Sequence, residues 1–246
     1  MATYGERFFD YIEAGSYASA QVVLPLLRPL IGQGEVLDVG CGRGAWLAAY
    51  RDGGVGAVTG VDGAYVQRDS LMIPPELFHP IDIADPFDLG RRFALVQCLE
   101  VAEHLPPAAA PILVANLVRH APLVLFSAAT PGQGGLGHLN EQRPEYWRRL
   151  FAAHDYQCFD PFRPRLRGNA SVEPWYRYNM LLYVHRSAVA GLPADFAATL
   201  VPEGAAIRDV SPLSYRLRCA LMRPLPPDAV SRIAGLRHVL RLRLGV

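Results

Sequence analysis

Between residues 36 and 47 the chain reads Val-Leu-Asp-Val-Gly-Cys-Gly-Arg-Gly-Ala-Trp-Leu, an apolar run that passes through an acid into three alternating glycines. Gly40, Gly42 and Gly44 carry no Cβ, so they accept backbone angles closed to other residues and let a ligand lie directly against the main chain. A second apolar run, Ala57-Val-Thr-Gly-Val-Asp62, also ends in an acid. That is where a nucleotide-binding α/β fold sets a carboxylate for ribose hydroxyls. A dinucleotide site would show G-x-G-x-x-G, with a helix N-terminus aimed at a pyrophosphate. Here Ala45 stands in the place of the third glycine of that pattern.

The rest of the chain alternates in the same manner. Strands are predicted over 35–40, 57–62, 79–83, 93–99 and 122–128, and helices over 106–120 and 143–154. The apolar runs 156–159 and 179–184 close the series, and residues 6–30 read as a helix or two with a break at Gly15 and an interruption at Pro25. Strands separated by helices build a parallel, doubly wound α/β sheet. Such a sheet binds ligands at the carboxyl ends of its strands, where strand order reverses. Asp38 to Gly44, then Asp62, Asp82, and the trio Glu100, Glu103 and His104 all leave strands at that edge.

Three segments together resemble class I S-adenosylmethionine-dependent methyltransferases. Asp38-x-Gly40-x-Gly42-x-Gly44 resembles the family's first motif, and Asp82-Ile83 its adenine-contacting acid. Ala94-Leu-Val-Gln-Cys-Leu-Glu-Val-Ala-Glu-His-Leu105 resembles its fourth motif. The resemblance runs over residues 30–186 and implies a Rossmann-like, mostly parallel seven-stranded sheet with helices on both faces and an antiparallel last strand pair. It also implies S-adenosylmethionine as cofactor. Asp38, Gly40, Cys41, Gly42 and Gly44 would hold it at the first turn, Asp62 and Gly63 at the ribose, and Asp82 and Ile83 at the adenine. Leu99 and Glu100 would add contacts from the fourth strand, and Tyr17 and Ser19 from the N-terminal helix. The implied organisation is a helical cap over 1–30, the cofactor-binding domain over 31–186 with an inserted substrate loop at 163–177, and a basic extension over 187–246.

Methyl transfer from a sulfonium is an in-line displacement on an already activated donor, so the protein mainly positions reactants and handles one proton. An aliphatic hydroxyl acceptor needs a base, and the loops after the fourth and fifth strands supply candidates. His138, at the end of a glycine-rich stretch, is the first choice, with His104 and its neighbour Glu103 second. Trp175, Tyr176 and Arg177 are suited to stacking on a sugar or ring and pairing an anionic substituent, and Asn140 adds a polar contact. The residues after the fifth strand, Gly137-His-Leu-Asn-Glu-Gln-Arg-Pro-Glu-Tyr-Trp147 and Ser171-Val-Glu-Pro-Trp-Tyr-Arg-Tyr-Asn179, resemble a bacterial methyltransferase group linked to glycan and secondary-metabolite pathways. An oxygen of a sugar-containing small molecule is therefore the expected acceptor.

Two alternatives stay open. Glu100, Glu103 and His104 with His138 resemble the metal ligands of small-RNA 3′-terminal 2′-O-methyltransferases, a set suited to a divalent cation. The expectation is nonetheless no metal, because the second histidine cluster of that group is missing. A catalytically silent methyltransferase fold serving as a partner protein is the other alternative. A net charge of +1 gives no general reason to expect DNA or RNA. The four cysteines form no C-x-x-C pair, and no apolar run reaches the roughly 18 residues of a membrane span, so the chain reads as soluble and cytoplasmic. Residues 187–246 carry eight arginines against four acids. Their last stretch, Asp228–Leu244, reads as an amphipathic helix for docking on the domain, a partner enzyme or an acidic membrane surface.

Overall fold

The computed structural model describes residues 6–226 and residue 229, with side chains described from residue 13 onward. The predicted terminal helix over 228–244 lies outside the described residues. No helix among the described residues is long and apolar enough to cross a membrane.

The order of elements is α1 (Glu6–Ile31), β1 (Val36–Val39), α2 (Ala45–Asp52), β2 (Val58–Asp62), β3 (Phe78–Pro80), β4 (Leu95–Leu99), α3 (Ala110–His120), β5 (Leu123–Ser127), α4 (Pro144–Ala152) and β6 (Tyr156–Phe159). There follow α5 (Arg163–Leu166), α6 (Pro174–Asn179), β7 (Leu181–His185), α7 (Ala194–Ala197) and α8 (Leu213–Met222). The seven strands form one sheet in the order β3-β2-β1-β4-β5-β7-β6. Strands β1 to β5 pair in parallel, while β7 pairs antiparallel with both β5 and β6. The predicted topology is the observed one. Sequence order reverses between β1 and β4, and the cleft opens at the carboxyl ends on either side of that point.

Side chains alternate across the sheet and build two cores. Val36, Leu95, Leu125 and Leu182 face α1, α2 and α6, whereas Leu37, Val39, Val96, Val124 and Tyr183 face α3 and α4. Strands covered on both faces are apolar at nearly every position, which is why the sequence shows them as continuous runs. The predicted helix 143–154 is present, with Trp147 and Phe151 buried beneath it.

Three expectations need correction. Residues 6–31 form one helix, without the break expected at Gly15 or the interruption expected at Pro25. The Glu173 side chain packs against Gly15, where a Cβ would lie 2.5 Å from its carboxylate oxygen, and the buried stripe Val23, Leu24, Leu27 and Ile31 carries the helix through Pro25. This helix shares the core of the sheet instead of capping it. Second, residues 163–177 are not a free loop: α5 and α6 dock Leu166, Val172 and Tyr176 into the core. Third, β3 ends at Pro80, so Asp82 and Ile83 sit beyond it in the connecting loop. In the extension, Phe196 and Ile207 are buried, which ties that segment to the domain.

Candidate active site

The first turn after β1 is a run of left-handed glycines, with φ of +83° at Gly40, +54° at Gly42 and +87° at Gly44. A Cβ on Gly40 would lie 2.5 Å from both Val101 methyl carbons, so the backbone is pressed against a residue that lines the cleft. Gly40→Ala is expected to cost about 1–2 kcal/mol for the left-handed backbone alone, lowering the thermal midpoint by about 2–4 °C per kcal/mol. It should also weaken ligand binding in the cleft by displacing Val101. Differential scanning fluorimetry with and without the cofactor that the sequence resemblance implies checks both.

Asp62, at the end of β2, braces the turn from the side. One carboxylate oxygen accepts the Gly42 N–H at 2.7 Å, and the other accepts the Gly63 N–H at 2.7 Å together with the Tyr65 hydroxyl. Asp38 is buried in β1 beneath the turn, where burial, opposed by Gln97 and reinforced by Asp62, pushes its carboxyl up to about 7. Cys41 closes the floor, its N–H donating to the Val61 carbonyl at 3.1 Å.

The cleft has a volume of about 540 Å³, within the range of small-molecule sites. Asp62, Asp82 and Glu100 line it, and no lysine or arginine does so among the described residues. Such a wall accepts a cationic or neutral ligand and repels a pyrophosphate. Gly40, Gly42, Gly63, Ile83 and His104 also line it, while Asp38, Cys41, Gly44 and Leu99 are buried and do not.

Two predicted cofactor contacts point elsewhere. The Tyr17 hydroxyl donates to Asp52 at 2.6 Å, at the end of α2 remote from the glycine turn. Ser19 is fully buried, donating to the Gly15 carbonyl at 2.6 Å and accepting the Glu173 N–H at 3.0 Å, so it joins α1 to the α6 region. The predicted substrate contacts also change role. Tyr176 is buried, with its hydroxyl 3.0 Å from Ser16 and its ring edge-on to Trp46. Trp175 packs against the same core, and the Arg177 guanidinium lies over Tyr178. Asn140 is buried, and its side-chain carbonyl accepts from Gln142 at 2.9 Å. Helix formation over 174–179 turned this aromatic segment inward.

Glu100, on the cleft wall beyond β4, takes φ +55°, a left-handed backbone at a residue other than glycine. Strain of this kind collects at functional sites when the surroundings enforce it, and here the Glu100 N–H is fixed to the Ser127 carbonyl at 2.9 Å. Its carboxylate accepts from Gln133 at 2.7 Å and Asn179 at 3.1 Å, and Asn179 also donates to the Gln133 carbonyl oxygen at 2.8 Å. Burial pushes the Glu100 and Glu103 carboxyls up, Glu103 further because Glu100 stands beside it, so the pair favours holding a proton.

Beside them, His104 and His138 meet edge to face with ring centres 4.9 Å apart. Burial and the neighbouring His138 lower His104 to about 4, which keeps it neutral. His138 Nδ1 lies 2.8 Å from Glu141 Oε1. Burial works against Glu141, but the His138 contact and the N–H groups of Gly132 and Gly134 hold it below the usual carboxylate range. An ionised carboxylate only accepts, so Nδ1 carries the proton and the lone pair falls to Nε2. A base oriented by an acid is the arrangement of a proton acceptor.

Tyr65, Gln133, Glu141 and Asn179 were absent from the predicted set. Only Glu141 had a local signal, the His-x-x-Glu spacing after the glycine stretch. Gln133 and Asn179 are 46 residues apart and meet only in the fold.

A methyltransferase-domain family model matches residues 11–163, well over half of the chain. The chain belongs to that methyltransferase family. The ubiquinone biosynthesis O-methyltransferase of Neisseria meningitidis serogroup C (strain 053442) is 32% identical to this methyltransferase over 118 residues. That match covers 43% of this chain and 48% of the relative, so the chain aligns with about half of its length. Among solved structures, the sugar N-methyltransferase KedS8 from Streptoalloteichus sp ATCC 53650 superposes with a TM-score of 0.57 at 20% identity, covering 76% of this chain and 97% of that one. Magnesium protoporphyrin IX methyltransferase (ChlM) from Synechocystis PCC 6803, solved with bound SAM, superposes with a TM-score of 0.52 at 18% identity, covering 75% and 86%. At those identities the superpositions establish a shared fold.

Proposed function

We propose that this methyltransferase transfers a methyl group from S-adenosylmethionine to an oxygen of a sugar-containing small molecule, with His138 as the base. The carrying observation is the His138–Glu141 pair beside an acid-lined cleft that has no lysine or arginine on its wall. The sulfonium donor, when bound, supplies an electrophilic methyl group. The glycine turn fits its backbone approach, Asp62 and Asp82 its ribose and adenine, and the carboxylates its two positive charges. His138 takes the acceptor's proton at Nε2, which in this structure lies against Gly135 of the same loop, and Glu141 stabilises the imidazolium that results. Burial holds Glu100 and Glu103 toward their protonated forms, so beside the one ionised carboxylate of Glu141 they offer hydrogen bonds suited to a hydroxyl-rich acceptor. The O-methyltransferase relative supports the atom.

A second reading has its own observation. One ligand atom each from Glu103, His104 and His138 lies within 4.8 Å of the others, and Glu103 Oε2 is buried without a hydrogen-bond partner. Two imidazoles and a carboxylate suit a divalent cation. Those three residues would hold it, Glu100 standing behind, and it would acidify a vicinal diol such as an RNA 3′ end. His138 would then be a ligand and not a base.

One assay separates the readings: formation of S-adenosylhomocysteine on a panel of uncharged glycosides bearing hydroxy-sugars, glycosides bearing amino-sugars, and a short RNA. Turnover on hydroxy-sugars that persists in EDTA is expected. Turnover confined to amino-sugars overturns the choice of oxygen, and loss in EDTA with recovery in Mg²⁺ or Mn²⁺ favours the cation. Tight donor binding with no turnover on any probe favours a silent partner protein.

A further inference from the structure

Helix α8 lies beyond the residues that the family model matches, yet its inner face packs on the loop that carries His138. Leu213, Leu217 and Leu221 point outward and are exposed. Tyr215, Arg218 and Cys219, on the opposite side, make the contacts. Arg218 Nη1 donates to the Gln133 carbonyl at 3.0 Å, and its guanidinium lies 4.7 Å from the centre of the Tyr215 ring. Tyr215 in turn meets Tyr178 edge to face at 4.9 Å. At Gly132, which has φ +87°, a Cβ would lie 2.1 Å from the Cys219 carbonyl oxygen, so helix backbone rests directly on loop backbone.

The contacts continue inward from that point. The N–H groups of Gly132 and Gly134 each donate at 2.8 Å, one to each Glu141 oxygen, and Glu141 fixes His138 Nδ1. The loop contains Gly132, Gly134, Gly135 and Gly137, a composition with unusual backbone freedom. It holds one geometry only if something outside it does the holding. Residues 132 and 133 are the ones α8 touches.

We propose that α8 is a positioning element for His138: Arg218 and the Cys219 backbone clamp Gly132 and Gln133, the clamped N–H groups orient Glu141, and Glu141 sets the tautomer and direction of the His138 ring. This rests on the reading of His138 as the base and adds to it a segment outside the matched domain. Arg218 touches neither donor nor acceptor; it acts through the loop. The basic extension thereby completes the site.

The test uses the full chain and needs no acceptor. Arg218→Ala, Arg218→Lys and Gly132→Ala are compared with the parent by amide exchange at Gly132 and Gly134, by the His138 imidazole resonances, and by calorimetric titration with S-adenosylmethionine. His120, whose Nδ1 lies 2.7 Å from the Asn116 carbonyl on α3, is the internal reference. Arg218→Ala is expected to speed exchange at both glycines, and Gly132→Ala at Gly134, about tenfold or more, and both variants should lose the His138 Nδ1 proton signal. The His120 signal and donor affinity should hold, and lysine at 218 should restore part of the protection. Parent-like exchange and His138 signals in both variants overturn the proposal. So does a change that spreads to His120 or to donor affinity, which marks general loosening of the fold. Full turnover of a His138→Ala variant sinks the base reading separately, since the exchange data report the clamp itself.

Discussion

Replacing Asp62 by alanine is expected to weaken S-adenosylmethionine binding by about 10- to 150-fold, because a hydrogen bond to a charged group contributes about 1.5–3 kcal/mol and each 1.4 kcal/mol is about tenfold in affinity. Two losses coincide at this residue. The ribose hydroxyls lose an ionised acceptor at the end of β2, and the Gly42 N–H, now held at 2.7 Å, loses the brace that shapes the glycine turn. Asp62→Asn separates them. The amide oxygen can still accept one of the two N–H groups, so an intermediate affinity assigns part of the effect to geometry and the remainder to charge. Calorimetric titration of donor into parent and both variants gives the numbers. A dissociation constant unchanged in Asp62→Ala contradicts the placement of the ribose.

That prediction was available from the sequence, and the reason is local. Parallel strands buried on both faces must be apolar almost throughout, so β1, β2, β4 and β5 stand out as runs, and the acids that end them fall at the edge where such a sheet binds ligands. What the sequence concealed depends on contacts between distant residues. Gly15 looks like a helix break because glycine is a poor helix former, yet the helix runs through it, packed there by Glu173, 158 positions away. Trp175 and Tyr176 look like a stacking platform until α6 forms and turns them toward Trp46 and the core of α1. Gln133 and Asn179 had no pattern to betray them, because amides acquire a role only when a partner such as Glu100 is brought within reach. Glu141 is the intermediate case. Its spacing from His138 was visible, but its value comes from the His138 contact together with the N–H groups of Gly132 and Gly134, which hold it below the usual carboxylate range against burial.

His138→Ala is expected to lower turnover about a hundredfold or more, the usual contribution of a positioned general base, and to leave donor affinity within about twofold because His138 is not on the cofactor wall. The choice of His138 over His104 follows from their surroundings. His104 is lowered to about 4 by burial and by its neighbour, which makes it a weak proton acceptor at neutral pH. His138 has Glu141 on its Nδ1 side to stabilise the charge it gains, so proton transfer leaves an imidazolium paired with a carboxylate. His104→Ala should therefore cost less than His138→Ala, and Glu141→Gln should fall between the parent and His138→Ala, since glutamine keeps a hydrogen bond but removes the balancing charge. The measurement is S-adenosylhomocysteine formed under saturating donor with a hydroxy-sugar acceptor. Full activity of His138→Ala removes the residue from the role of base. A loss in His104→Ala equal to that in His138→Ala, together with sensitivity to EDTA, moves both imidazoles from proton transfer to metal ligation.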